Sequence, residues 1–179
     1  MVPDRQKIAA GAQQPEKFDV IIVGAGISGI GSATLLRKHC PDLSFAILEA
    51  LEGHGGTWLI HKYPGTRSDS DLFTFGYGFK PWTGQPIASR DQILDYLGDA
   101  IADAGLGPFI RYGHSVTSAN WSNETASWQL TVERKGADDV VQMEASFLWM
   151  CQGYYRHEKG YTPQWPGMDR LKGQIIHPQ

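Results

Sequence analysis

The stretch FDVIIVGAGISG, Phe18 to Gly29, sets the tightest limit on what this chain can fold into. Phe18 leads into four consecutive β-branched residues, Val20 to Val23, and the run ends in glycines. Such a run reads as a fully buried strand. ISGIGSATLLRKH follows, with an apolar stripe at Ile27, Ile30, Ala33 and Leu36, basic residues Lys38 and His39 in the last turn, and Pro41 as a stop. These signals predict a helix. SFAILEA is then a second buried strand, ending at Glu49. Together they make a β-α-β unit of about 30 residues, which commits the chain to an α/β fold with a Rossmann-like start.

The turn between strand and helix is Gly24-x-Gly26-x-x-Gly29. The first glycine permits the tight turn, the second lets a pyrophosphate approach the backbone, and the third lets helix and strand pack closely. The helix start adds free N–H donors and a partial positive charge, and Ser28 can add a hydroxyl. Glu49 stands where a carboxylate can accept both ribose hydroxyls of an adenosine. The same charge repels a 2′-phosphate, and Ala50 and Leu51 offer no compensating arginine. The site is therefore expected to take FAD or NAD(H) rather than NADP(H). The plainer alternative is a glycine-rich turn beside an incidental glutamate.

Next comes EGHGGTWLIHKYPGTRSDSDLF, Glu52 to Phe73, too rich in Gly, Pro and Ser for a helix and too aromatic for an idle linker. Asp71 within it reads as a helix cap. A helix is expected from Ser89 to Ala104, opened by a Ser89/Gln92 capping box, with Ile93, Leu94, Leu97 and Ile101 as its apolar face. β-type segments FIRYGHSVTSANW, SWQLTVER and VVQMEA follow over 109–145. Alternation at Trp128, Leu130 and Val132 predicts a half-exposed antiparallel meander. SFLWMCQG, Ser146 to Gly153, reads as another buried strand. The expected organisation is a flexible arm over 1–17, a dinucleotide-binding domain over 18–155, and a Pro-rich linker over 156–179.

Several function classes lack support. Net charge is −3 with no Lys/Arg block, which gives no electrostatic reason to expect nucleic acid or an anionic membrane. No apolar run approaches the roughly 18 residues of a spanning helix. Cys40 and Cys151 are far apart and lack partners at metal spacing. They read as small buried hydrophobes in a reducing cytoplasm. His39, His54, His61, His114 and His157 show no metal spacing either.

GAGISG, GGTW and YPGTRSDSDLFTFGYGFKPW, in that order, resemble the class B flavoprotein monooxygenases, and among them the Baeyer–Villiger type. CQGYYRHEKGYTPQWPG and LKGQIIHPQ extend the resemblance to the end of the chain. Gly173 and His177 match the start of the family fingerprint, and Leu171 departs from its usual Phe.

The resemblance implies FAD as cofactor, NADPH as reductant, and O2 captured as a flavin C4a-peroxide that attacks a ketone, sulfide or amine. It places Gly55, Gly56, Thr57 and Trp58 along the flavin, with Leu59 and Ile60 continuing that wall. In that resemblance the N–H groups of Gly55, Gly56, Thr57 and Trp58 and the Thr57 hydroxyl can bond the flavin. Arg67, Ser68 and Asp69 would lie near the isoalloxazine edge and the nicotinamide, Arg67 and Asp69 in catalytic roles. Val116 matches a position whose backbone meets the adenine. Bland readings stand beside these: Trp58 as a core aromatic, Arg67 and Asp69 as a solvated ion pair, Val116 as strand packing. The family also has a second GxGxxG domain for NADPH, and this chain holds only one such motif. The chain thus reads as the N-terminal piece of a two-dinucleotide-binding flavoprotein, with an incomplete sheet prone to self-association.

Overall fold

The computed structural model describes residues 14–137, 140–157 and 159–177. Residues 1–13 of the expected arm lie outside that set. The first strand, β1 (Glu16–Val23), begins two residues earlier than expected, because Glu16 and Lys17 still pair with a neighbouring strand. Helix α1 (Ile27–His39) and strand β2 (Phe45–Leu48) complete the β-α-β unit, β1 and β2 pairing in parallel.

The loop after β2 is not wholly irregular. It contains two single-turn helices, α2 (Thr57–Ile60) and α3 (Leu72–Phe75). Asp71 caps α3 as expected, accepting the Thr74 N–H at 2.9 Å. Helix α4 (Arg90–Asp103) carries the expected capping box: Ser89 and Gln92 each accept the other's backbone N–H. Such a cap is worth about 1 kcal/mol.

The expected first meander strand is divided. β3 (Ile110–Arg111) pairs in parallel with β2. Gly113, at φ 65°, then turns the chain into β4 (His114–Ser122). β5 (Ser127–Arg134) pairs with β4 antiparallel, and β6 (Val140–Met150) pairs with β5 antiparallel and with β1 in parallel. The meander and the parallel sheet are therefore one six-stranded sheet, ordered β3-β2-β1-β6-β5-β4.

Two apolar clusters lie on its two faces. Val20, Ile22, Phe45 and Ile47 pack against α1 and α4 through Ile30, Ala33, Ile93 and Leu97. On the other face Ile21, Ala46 and Leu48 meet Leu130, Val132, Met143 and Ala145, so the meander curls back over β1 and β2.

The expectation that Ser146–Gly153 is a buried strand is corrected. Residues 146–150 of that stretch are the second half of β6, which ends there, and Phe147 and Trp149 are exposed, at 57% and 37%. β5 pairs with β6 only as far as Ala145, so among the described residues no strand covers the following edge. The cysteine expectation is also corrected: Cys40 caps the exposed end of α1, and Cys151 is half-buried. Among the described residues no helix is long and apolar enough to cross a membrane.

Candidate functional site

The glycine turn is built around close backbone approaches. Gly24, at φ 104°, sits where a side chain would strike the Cys151 carbonyl, and a Cβ on Gly29 would strike the Gly24 carbonyl oxygen. Gly26 precedes α1 as its N-cap and supplies no side-chain hydrogen bond. The first paired amide of α1 is Ile30, bonded to the Gly26 carbonyl at 3.0 Å. The N–H groups of Ile27, Ser28 and Gly29 therefore have no protein partner among the described residues, the usual state of a helix start. Ser28 is exposed beside them.

Glu49 closes the turn from below. It is buried at 6% exposure. One carboxylate oxygen accepts the Ala25 N–H at 2.7 Å and the other the Leu51 N–H at 2.9 Å. The backbone of Glu49 joins β3 and β4: its N–H donates to the Arg111 carbonyl, and its carbonyl accepts from His114. Carboxylate oxygens accept at two positions each, so acceptor capacity remains for a ribose. Sequence reasoning missed the Ala25 and Leu51 contacts, which depend on where the turn folds back.

The second glycine loop docks directly onto the first. Gly55 N–H donates to the Ala25 carbonyl at 2.9 Å. Gly56 holds φ 53°, and a Cβ there would reach 3.4 Å from the Gly26 Cα. Some of the N–H groups of this stretch already have protein partners. The N–H groups of Trp58, Leu59, Ile60 and His61 are all paired within the α2 turn, to Gly55, Gly56, Gly56 and Thr57 respectively. The Gly56 and Thr57 N–H groups and the Thr57 hydroxyl remain without partners among the described residues.

Trp58 packs partly into the core, edge-on to Phe75 with ring centroids 6.1 Å apart. Leu59 turns toward α4 and lines an open cleft with His54, Leu94, Asp95 and Gly98. Ile60 is half-buried at the end of the turn.

The Arg67–Asp69 segment is tied to the start of α4. Ser68 is buried, its N–H donating to the Ala88 carbonyl at 2.9 Å and its hydroxyl accepting the Ala88 N–H at 3.1 Å. That staple fixes Ser68 to the segment before α4 and leaves its hydroxyl proton uncommitted. Arg67 and Asp69 are exposed. Arg67 Nε donates to the Gly65 carbonyl at 3.3 Å, and Asp69 accepts from the Ser70 hydroxyl at 3.2 Å. Asp69 also faces the turn after β6: the Tyr155 hydroxyl is pushed up first by its hydrogen bond with Tyr154, with the Asp69 charge adding. Val116 packs half-buried into the meander cluster, just before a bulge that separates it from Ser118. Among the described residues no group of three His, Cys, Asp or Glu is placed to hold a metal ion.

Residues 22–97 match the family model described as NAD(P)-binding Rossmann-like domain. The chain is 50% identical over 165 residues to the FAD-containing monooxygenase EthA of Mycolicibacterium smegmatis, covering 92% of this chain and 33% of that protein. Its fold matches a solved steroid monooxygenase bound to NADP (TM-score 0.72, 30% identity, 90% of this chain and 30% of that one). It likewise matches a closed cyclohexanone monooxygenase (TM-score 0.72, 26% identity, 92% and 31%). The chain spans about a third of the length of the relatives it matches. In sequence and in fold the chain is thus similar to FAD-containing, steroid and cyclohexanone monooxygenases, over about a third of their length.

Proposed function

We propose that the chain is the FAD-binding portion of a flavin-dependent, NADPH-oxidising monooxygenase that inserts oxygen into ketones or oxidises soft heteroatoms such as sulfide or amine. The observation that carries this reading is the meeting of two glycine loops at Gly26 and Gly56, beside the unpaired N–H groups of Ile27, Ser28 and Gly29. A slot walled by backbone, with donors at a helix start, suits a pyrophosphate.

In this reading Gly24, Gly26, Ser28 and Gly29 hold the pyrophosphate, and Glu49 accepts the adenosine ribose. Gly56, Thr57, Trp58, Leu59 and Ile60 border the flavin, and Val116 borders the adenine. Arg67 and Asp69 project their charges toward the flavin edge and nicotinamide, while Ser68 fixes their loop. Bound FAD would supply the redox and oxygen-transfer chemistry, with O2 and NADPH as co-substrates. The working unit would be residues 18–155, with 156–179 leading onward as a linker. A cytoplasmic setting fits two unpaired cysteines. Self-association through the uncovered half of β6 fits its exposed Phe147 and Trp149.

A second reading is a non-catalytic FAD- or NAD-binding module. It is favoured by the exposure of Arg67 and Asp69, which are not bonded to each other. The test is a visible spectrum of the purified chain after addition of FAD and desalting. Retained flavin bands support the first reading. A protein that stays colourless but is raised in melting temperature by NADH would replace it with an NAD-binding module. If flavin is retained, Asp69→Asn and Arg67→Ala variants that leave the bound flavin's spectrum and reduction unchanged would favour the non-catalytic alternative.

A further inference from the structure

Tyr77 lies far from the glycine turn in sequence, yet its hydroxyl donates to the Ile27 carbonyl at 2.6 Å. Ile27 is the first residue of α1. The Tyr77 ring reaches this point because residue 31 is glycine: a Cβ there would lie 2.8 Å from Tyr77 Cε1. The ring is not free to swing. It stacks on Phe79 with centroids 4.6 Å apart and on Tyr96 at 5.6 Å. Its own N–H donates to the Tyr96 hydroxyl at 2.7 Å, and that hydroxyl donates onward to the Lys80 carbonyl at 2.6 Å.

The carbonyl that Tyr77 holds belongs to the peptide unit whose other end is the Ser28 N–H. In a helix that N–H points toward the N-terminus, where it is one of the three unpaired donors. A hydrogen bond accepted by a peptide carbonyl polarises the unit and strengthens its N–H as a donor. We propose that Tyr77 is a positioning residue for the pyrophosphate, acting through the Ile27–Ser28 peptide to fix and strengthen the Ser28 N–H. The inference rests on the dinucleotide reading of the turn. It adds a link between the loop carrying Arg67 and Asp69 and the helix start that holds the phosphates.

The test is the Tyr77→Phe variant of the full 179-residue chain, which keeps the ring and removes only the hydroxyl. Two readouts are taken: the amide ¹H shift of Ser28 without ligand, and the affinities for ADP, FAD and adenosine. The expected result is an upfield shift of the Ser28 amide proton. Binding of ADP and of FAD should weaken by about threefold to tenfold, with adenosine affinity unchanged. An unmoved Ser28 amide, or ADP binding equal to that of the unaltered chain, overturns the proposal. So does an equal weakening of adenosine, which would assign Tyr77 a purely structural role. If the variant fails to fold, Gly31→Ala, which displaces the Tyr77 ring from the same carbonyl, takes its place with the same readouts. An unaltered chain that binds ADP but not FAD defeats the FAD reading while the Tyr77 comparison still decides. One that binds neither defeats both.

Discussion

The Glu49 carboxylate accepts the Ala25 N–H at 2.7 Å, across 24 residues of chain and inside the glycine turn itself. The end of β2 and the turn after β1 are thereby fixed to each other before any ligand arrives. The second carboxylate oxygen is bonded to Leu51 N–H, so both oxygens face backbone donors. Glu49→Gln is isosteric but carries only one acceptor oxygen. Whichever way its amide turns, an NH2 group faces a backbone N–H, buried at Ala25 or part-buried at Leu51. The expected cost is about 1–3 kcal/mol of folding stability, measured by urea denaturation. A stability equal to that of the unaltered chain would show that the carboxylate does not hold the turn.

Gly29 and Gly78 make a matched pair for testing the tightness of the first turn. A Cβ on Gly29 strikes the Gly24 carbonyl, which is backbone and cannot rotate away, whereas one on Gly78 meets nothing within 4 Å. Gly29→Ala should lower stability by about 1–3 kcal/mol and abolish retention of FAD on desalting. Gly78→Ala should change stability by no more than about 0.5 kcal/mol. Equal melting temperatures for the two variants would contradict the packing described.

Acid should destabilise the fold through the first half of β1. The hydrogen bond from Arg111 holds the Glu16 carboxyl below its ordinary value against a smaller opposing effect of burial. The Ser44 hydroxyl and N–H, at 2.6 and 2.7 Å, hold Asp19 below its own. A carboxyl with a lower pKa folded than unfolded adds stability above its unfolded value, near ~4. That stability is lost as pH falls through the folded value. Their contribution should therefore be constant from about pH 5 upward and decline below about pH 4. A Glu16→Gln/Asp19→Asn double variant should show a shallower acid limb in melting temperature against pH. An unchanged limb would assign acid sensitivity to other carboxylates.

Ala126 holds φ 49° in the turn joining β4 to β5. A left-handed backbone costs a non-glycine residue about 1–2 kcal/mol, offset in part by the extra unfolded-state freedom of glycine. Ala126→Gly should raise stability by up to about 1 kcal/mol without altering ligand binding. A lower melting temperature would show that the turn is not strained.

The exposed second half of β6 should govern association. Trp149 and Phe147 form an edge-on pair with centroids 6.1 Å apart, beside Val20, Leu36 and Leu43. A Phe147→Lys/Trp149→Lys variant should sediment as a monomer at concentrations where the unaltered chain self-associates. Two monomeric proteins, or two equally associated ones, would remove this edge as the cause.

Local signals carried much of the architecture. The periodicity of ISGIGSATLLRKH marked α1 from Ile27 to His39, and Ser89, Gln92 and Asp71 marked caps that do form. Each depends on residues within about four positions of one another, which a linear reading can see. The single-turn helix α2 escaped because its amides pair only after Gly55 and Gly56 adopt positive φ. In sequence β6 looks like two segments, VVQMEA and SFLWMCQG, because apolar alternation fails at its centre. Phe18 and Ala145 pack on the meander side, while Val20 packs toward α1 and Leu148 toward the meander. The facing is interrupted at Asp19 and Ser146 in neighbouring strands. Asp19 and Val20 both donate to the Ser44 carbonyl there.

By itself, the sequence determined that a strand, a glycine turn and a helix would form in succession, since β-branching, small residues and helical spacing act over a few residues. It also determined, through Glu49 and the GGTW loop, which side chains were available to a dinucleotide. Only the tertiary structure decided which of those groups stay free. It engages the N–H groups of residues 58–61, and the acceptor side of the Ser68 hydroxyl, in internal bonds. Among the described residues it leaves the N–H groups of Ile27, Ser28, Gly29, Gly56 and Thr57 without a partner. It also brings Tyr77 onto the helix start. The physical reason is that a hydrogen-bonding group meets its partner across the fold, and the distance along the chain says nothing of which partner reaches it first.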